Sequence, residues 1–158
     1  MTIVNIAQGS LGKIHAFRLT PDSDLLESLE EFIVENNIKT GLILSGVASL
    51  KQAVLRNPKL FPDSFPMTDA YRVLTKLQCP LELLSLSGNI TELDGKPFVH
   101  AHIVISKGDD DGLAFGGHLD KGCIIFSTAE IIIAEINDMK ITREKSLETF
   151  GKEFTPTN

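Results

Sequence analysis

Only one segment of this chain has the apolar periodicity of a long helix, and this limits the folds that it can adopt. Within residues 24–36 the apolar residues fall at helical spacing on one face. They are Leu25, Leu26, Leu29, Phe32 and Ile33. The tripeptide Pro21-Asp22-Ser23 supplies a turn and a candidate helix cap before them. We therefore expect one amphipathic helix, packed on a core that strands must complete.

The remaining apolar segments indicate strands, because their apolar residues alternate with polar ones or are β-branched. The predicted strands cover residues 12–19, 41–50, 52–56, 71–78, 81–93, 98–106 and 123–136. Ser45-Gly46-Val47 predicts a kink, and Asp94-Gly95-Lys96-Pro97 predicts a hairpin turn. Residues 57–68, with three prolines, predict an irregular loop, and residues 108–122 are rich in glycine and aspartate. The pattern predicts the α/β class, as an α+β fold with a mainly antiparallel sheet.

Length and composition indicate a globular protein with a single domain over residues 1–158. Hydrophobic residues make up 42% and charged residues 23%, values that exclude a disordered chain and a membrane protein. We see no secretory leader in the first residues, and Cys79 and Cys123 have no CxxC spacing. These features predict buried thiols in a reducing compartment, and hence a cytoplasmic location.

The net charge of −6 bears on the class of partner. Proteins that bind nucleic acid draw much of their affinity from Lys and Arg neutralising phosphates, and no basic cluster is evident in this sequence. Direct DNA binding by this chain is therefore disfavoured.

Histidines provide the main candidate site. His100 and His102 alternate with Ala101 and Ile103 in a predicted strand, so the two imidazoles share the face opposite the core. Their Cα atoms lie about 6 to 7 Å apart, which suits two ligands of one metal ion. His118 follows two glycines, which allow the backbone to turn sharply and bring a third imidazole over that face.

Three histidines with an open fourth position form the arrangement by which zinc activates water or holds an anionic ligand. Neutral imidazoles suit zinc, and the sequence shows no thiolate cluster or carboxylate cage. The alternative is that these are solvated histidines on an exposed strand face. His15, beside Ile14 and Phe17, is interpreted as structural.

Two further residues are candidates for ligand binding. Glu130 is a candidate fourth ligand, partner of a ligand or base, although such a carboxylate more often pairs with a cation. Arg56, at the end of a predicted strand, is a candidate for a carboxylate or phosphate of a small molecule, although an ion pair is the more frequent role. We find no serine-hydrolase, NTPase or dinucleotide-binding motif, and nothing marks Cys123 as a reactive thiol.

Several segments, taken in order, resemble the PPC (plant-and-prokaryote-conserved) domain family from about residue 10 to residue 150. They are AFRL at 16–19, LSGVASL at 44–50, Leu55-Arg56, PLELLSLSGNI at 80–90, GGHL at 116–119, Gly122 and TAEI at 128–131. The family often has a second glycine in the turn where this chain has Ala48. The resemblance implies a stand-alone prokaryotic PPC domain with a sheet flanked by helices, a homotrimer, and ligands at His100, His102 and His118.

One physical observation also favours the trimer. Apolar side chains fall on both faces of the strand at 123–136, and one helix covers only one face of a sheet. Two functions remain open from the sequence. The first is a metal and small-ligand site located between subunits. The alternative is a regulatory oligomerisation module that acts through DNA or a DNA-bound partner without catalysis, as the plant relatives with AT-hook arms suggest.

Overall fold

A computed structural model describes residues 5–63, 68–108, 111–144 and 153–158. In these ranges it contains one α-helix, one 3₁₀ turn at Asp69–Tyr71 and nine strands. The helix α1 is Leu25–Glu35, and the strands are β1 Ser10–Leu19, β2 Gly41–Pro58, β3 Arg72–Leu77, β4 Leu81–Leu93, β5 Lys96–Lys107, β6 Ala114–Leu119, β7 Ile124–Asn137, β8 Lys140–Glu144 and β9 Glu153–Thr157.

Strand β2 organises the sheet because it has different partners along its length. Its first part pairs with β7 on one side and β4 on the other. Its last part pairs with β3 and β6. Since β4 pairs with β5 and β5 with β6, the strands β2, β4, β5 and β6 form a closed ring. β1 extends the sheet beyond β7, and β8 and β9 extend it beyond β4.

Every pairing among the described strands is antiparallel except that of β4 with β8. The described residues thus form a single domain with a mainly antiparallel sheet and one α-helix, as the alternating pattern predicts. The family resemblance implies a sheet flanked by helices, whereas the described residues contain one α-helix, α1. None of the helices in the described part of the chain is long and apolar enough to cross a membrane.

The predicted kink in β2 corresponds to irregular pairing within one continuous strand. The register with β7 shifts between Ile43 and Ser45 and again after Ala48. Such bulges bend a strand without ending it, so the two predicted strands merge into β2. The turn between β4 and β5 is confirmed and is tight, since Asp94 and Gly95 adopt φ of 51° and 75°.

Three strands were not predicted from the sequence. β6 lies in the segment whose glycines obscure its pattern, and β8 and β9 are short strands near the C-terminus. The irregular loop predicted for residues 57–68 begins later than expected, because β2 continues to Pro58. Residues 64–67 of that loop lie outside the described residues, as do residues 109–110 of the glycine-rich segment.

The helix packs its apolar face against the sheet as predicted. Leu25, Leu29 and Ile33 are fully buried in the core between α1 and the strands. Asp24 caps the helix through its Oδ1 atom, which accepts a hydrogen bond of 3.1 Å from the backbone N–H of Glu27. Its other oxygen, Oδ2, accepts from the backbone N–H of Gly122 in the turn after β6. One carboxylate therefore ties the helix start to the turn that follows the third histidine.

Replacing Asp24 with alanine removes both acceptors, and we expect the free energy of unfolding to fall by about 1 kcal/mol or more. Asp24→Asn is the matched control, because its side-chain oxygen retains the cap at Glu27. Chemical denaturation of the three proteins measures the difference. An alanine variant as stable as the wild type would show that this carboxylate does not stabilise the fold.

Candidate metal centre

Strand β5 carries two of the three candidate ligands on its outer face. Ala101, Ile103 and Ile105 are buried, whereas His100 is half-buried and His102 exposed. The alternation predicted from the sequence is therefore confirmed. The core-facing residues fix the strand by burial of apolar surface, and the histidines project to the other side.

The third histidine reaches this face because β6 lies directly beside β5. His118 is the register partner of His102. The two preceding glycines permit this close approach, since a methyl group at Gly116 would collide with the carbonyl oxygen of Ile103. One at Gly117 would collide with the side chain of Asn57, whose amide donates a hydrogen bond of 3.1 Å to the Gly116 carbonyl.

The three imidazoles form a compact cluster. Their ring centroids are 5.0 to 5.3 Å apart. One nitrogen from each ring lies within 4.8 Å of the others, and no other group of three or more His, Cys, Asp or Glu side chains in the described part of the chain meets this condition. Two imidazole nitrogens on one tetrahedral zinc ion lie about 3.3 Å apart. Modest side-chain rotations span the difference, so the donor set fits one such ion.

Electrostatics favour the neutral, metal-binding form of His118. Partial burial lowers the pKa of His118 below its usual value, and the neighbouring His102 ring lowers it further. The guanidinium groups of Arg56 and Arg72 act in the same direction, and the Asp120 carboxylate opposes them. A histidine with a lowered pKa gives up its proton at a lower pH, and it therefore competes better for a metal cation at neutral pH.

Arg56 lies beside the cluster. It is the register partner of His118 across β2 and β6. Its Nε and Nη2 atoms each lie 2.7 Å from Oδ2 of Asp120, and its Nη1 atom lies 3.7 Å from a carboxylate oxygen of Asp69. The guanidinium thus makes ion pairs, the role that is common for such a residue, and it borders the histidines while 38% of its side chain stays exposed.

Glu130 does not join the histidines. It lies on β7, exposed, with Arg18 of β1 and Val47 of β2 as register partners. Strand β7 pairs with the opposite side of β2, so Glu130 is not part of the histidine cluster. The hypothesis that it is a fourth ligand is therefore not supported. The sequence shows which face of a strand a residue occupies but not which strands are neighbours.

Two residues near the site were not identified from the sequence. Asp120 follows His118 by two residues and lies just beyond the end of β6. A spacing of two is typical of residues on one side of an extended segment, so the sequence did contain a signal for Asp120. Arg143 comes from β8, and its Nη2 atom lies 3.0 Å from Nδ1 of His100. No local pattern indicates that contact, because it depends on the parallel pairing of β8 with β4.

The other candidate groups have structural roles. The Nε2 atom of His15 lies 2.7 Å from a carboxylate oxygen of Glu135, and its ring packs edge-on against Phe32. Burial raises the pKa of Cys123 to about 11, so its thiol stays protonated. That thiol accepts a hydrogen bond from the backbone N–H of Val54. These contacts agree with the structural interpretation of both residues.

A side chain at Gly116 should separate β5 from β6, because the atom that it meets belongs to the backbone and cannot rotate away. We expect Gly116→Ala to lower the free energy of unfolding by about 1 to 3 kcal/mol. Gly108→Ala is the control, since a methyl group there meets nothing within 4 Å. Urea denaturation compares the two, and equal stability would contradict the close approach of β6 to β5.

Comparison with known proteins places this fold in a family. The sequence model of the Plants and Prokaryotes Conserved (PCC) domain family matches residues 6–137 of this chain. The chain is 36% identical over 136 residues to the bifunctional protein GlmU of Synechococcus sp. (strain JA-3-3Ab), a match that covers 86% of this chain. The same match covers 19% of that protein, so the chain spans about a fifth of the length of its curated relative.

Solved structures of similar proteins have the same fold as this chain. A plant- and prokaryote-conserved (PPC) protein of Pyrococcus horikoshii superposes with a TM-score of 0.80 at 28% identity, over 98% of this chain and 99% of that one. A metal-containing protein of Archaeoglobus fulgidus gives a TM-score of 0.79 at 28% identity, over 96% of this chain and 99% of that one. On the family match and these folds, the chain belongs to the plant- and prokaryote-conserved domain family.

Proposed function

We propose that this protein binds one divalent metal ion, zinc, through His100, His102 and His118, and that the bound metal receives a small anionic ligand. The observation that carries the proposal is the mutual approach of three imidazole nitrogens to within 4.8 Å. Strand-face histidines that merely contact solvent have no reason to converge on one point. Metal binding gives that convergence a function.

The choice of zinc follows from the donor set. Three imidazoles without a thiolate or a carboxylate in the cluster suit zinc among the common divalent ions. When bound, the ion supplies a Lewis-acidic centre with a coordination position open to a ligand. The similar protein of Archaeoglobus fulgidus is described as metal-containing, which supports a metal in this member of the family.

The charges around the cluster favour an anion as the ligand. Arg56 and Arg72 both act electrostatically on His118, although the whole chain carries a net charge of −6. Arg56 retains exposed surface, and a guanidinium matches the geometry of a carboxylate or a phosphate. In this proposal His118 is a ligand of the metal, and Arg56 orients the anion.

We also propose that the protein is a homotrimer. The outer face of β2 and β7 presents large apolar side chains to solvent, although the opposite face is covered by α1 and the core. Phe126 is 64% exposed and Val47 is 48% exposed, and Leu44 and Ile132 are further exposed apolar residues of these strands. Glu130 lies opposite Val47, so this face is not wholly apolar. Several large exposed apolar side chains on one sheet face are nevertheless typical of an interface between subunits.

If the histidines bind metal as a unit, the wild-type protein purified without a His-tag or a chelator should contain near-stoichiometric zinc. We expect His102→Ala to lose most of it, because two imidazoles bind zinc far more weakly than three. Elemental analysis of the folded proteins provides the measurement. His15→Gln is the control and should keep its metal, since His15 contacts Glu135 and not the cluster. A wild type with no more metal than His102→Ala would exclude the proposed site.

A second carboxylate on the outer face of β2 and β7 should dissociate the trimer. We expect Val47→Glu to give monomers at micromolar concentration, because it places a second carboxylate directly opposite Glu130 on the face that the trimer would bury. Val34→Glu makes the same exchange at an exposed valine of α1 and should leave the assembly intact. Light scattering gives the mass of each protein. A monomeric wild type would contradict the proposed trimer.

A further inference from the structure

Arg143 makes an unusual set of contacts beside the histidine cluster. Its Nε atom donates to the Thr91 hydroxyl at 3.2 Å, and its Nη2 atom donates to Oδ1 of Asn89 at 2.9 Å. The same Nη2 atom lies 3.0 Å from Nδ1 of His100. The guanidinium carbon also lies 5.5 Å from the ring centroid of Phe98 and 5.6 Å from that of Phe154.

These contacts hold the guanidinium in one orientation. Arg143 is 8% exposed, and a buried charge is tolerated only when hydrogen bonds and favourable electrostatic contacts replace water. Thr91, Asn89 and the faces of two aromatic rings contribute to that replacement. Arg143 lies on β8 and Phe154 on β9, and the pairings of β8 with β4 and of β9 with β8 bring both residues to this position. Both strands lie beyond residues 6–137, which the family model matches.

The contact with His100 has a consequence for the metal. Arginine has only donors, so Nδ1 of His100 must accept with its lone pair. A neutral imidazole has one lone-pair nitrogen and one N–H nitrogen. If a metal binds Nδ1, it takes the lone pair that Arg143 uses. If the metal binds Nε2, the ring proton must move to Nδ1, where the new N–H faces the N–H donor of Arg143. In both cases a neutral His100 cannot serve the metal and Arg143 together.

The positive charge of Arg143 also disfavours a metal ion at His100. A histidine that ligates a metal usually donates its other ring N–H to a carboxylate or a carbonyl, which strengthens the metal bond. Arg143 places a fixed positive charge at that position, one imidazole away from the cation. The residue therefore opposes metal binding both by its hydrogen-bonding pattern and by its charge.

We propose that Arg143 competes with the metal for His100 and thereby sets the metal affinity of the cluster from the C-terminal strands. The inference rests on the proposed function, since it needs a metal at the three histidines. Binding of the ion breaks the hydrogen bond between Arg143 and His100. The site then retains its ion less tightly than a three-histidine site with an acceptor behind each ring.

The test compares Arg143→Gln with Arg143→Lys in the full chain. Glutamine offers an oxygen that accepts from an N–H at Nδ1 and carries no charge, so we expect zinc to bind about 10-fold more tightly or better. Lysine keeps a donor and the charge, and we expect an affinity near that of the wild type. Competition with a chromophoric chelator measures the zinc affinity, and thermal melting monitored by circular dichroism establishes that each variant is folded.

The outcomes are distinguishable. If the wild type binds zinc and Arg143→Gln binds no more tightly, the competition is overturned and the proposed metal site remains. If the wild type binds no more zinc than His102→Ala, the proposed function fails and this inference fails with it. Should Arg143→Gln not fold, side-chain nitrogen NMR of the wild type decides: we expect Nδ1 of His100 to carry no proton without zinc. A proton on that nitrogen would overturn the inference.

Discussion

Strand β6 pairs with β5 on one side and with the end of β2 on the other, and the candidate site depends on that double pairing. The first pairing places His118 opposite His102, and the second places it opposite Arg56. Backbone hydrogen bonds close the ring of β2, β4, β5 and β6, so the histidines are attached to strands that cannot separate independently. The imidazoles are thus brought together by the sheet itself.

The core and the candidate site lie on opposite faces of strand β5. The residues that stabilise the fold are therefore different from the histidines of the candidate metal site. Ala101, Ile103 and Ile105 of β5 are buried with the residues of α1, whereas His100 and His102 face outward. Burial of the apolar face provides the free energy that holds the strand. The cluster is therefore preorganised by a core that does not include it, unlike a small zinc domain in which metal binding drives folding.

The charges around the cluster come from several strands and do not all favour the same ligand. Arg56 and Arg72 place positive charge near His118, Asp120 partly neutralises Arg56, and Arg143 contacts His100. In the proposed function, this balance favours a metal that is completed by an anionic ligand over a bare divalent cation. The same strands present an apolar outer face, with Phe126 and Val47 exposed.

The sequence by itself determined the features that depend on local periodicity. The helical spacing of Leu25, Leu29 and Ile33 and the alternation around His100 and His102 each report which side of one element meets the core, and both predictions are confirmed. The Asp94-Gly95 turn was equally readable, because those residues tolerate a positive φ. The three candidate ligands were found in this way, two by spacing and one by its glycines and by resemblance to the family.

Only the tertiary structure decided which strands are neighbours. The sequence offered His118 as the third ligand and Glu130 as a weaker candidate for the same site. β7 and β6 pair with different sides of β2, so only His118 joins the cluster. Arg143 had no local signal at all, since its contact with His100 requires the pairing of β8 with β4. Pairing between distant strands depends on the summed packing and hydrogen bonding of the whole sheet, which no short segment encodes.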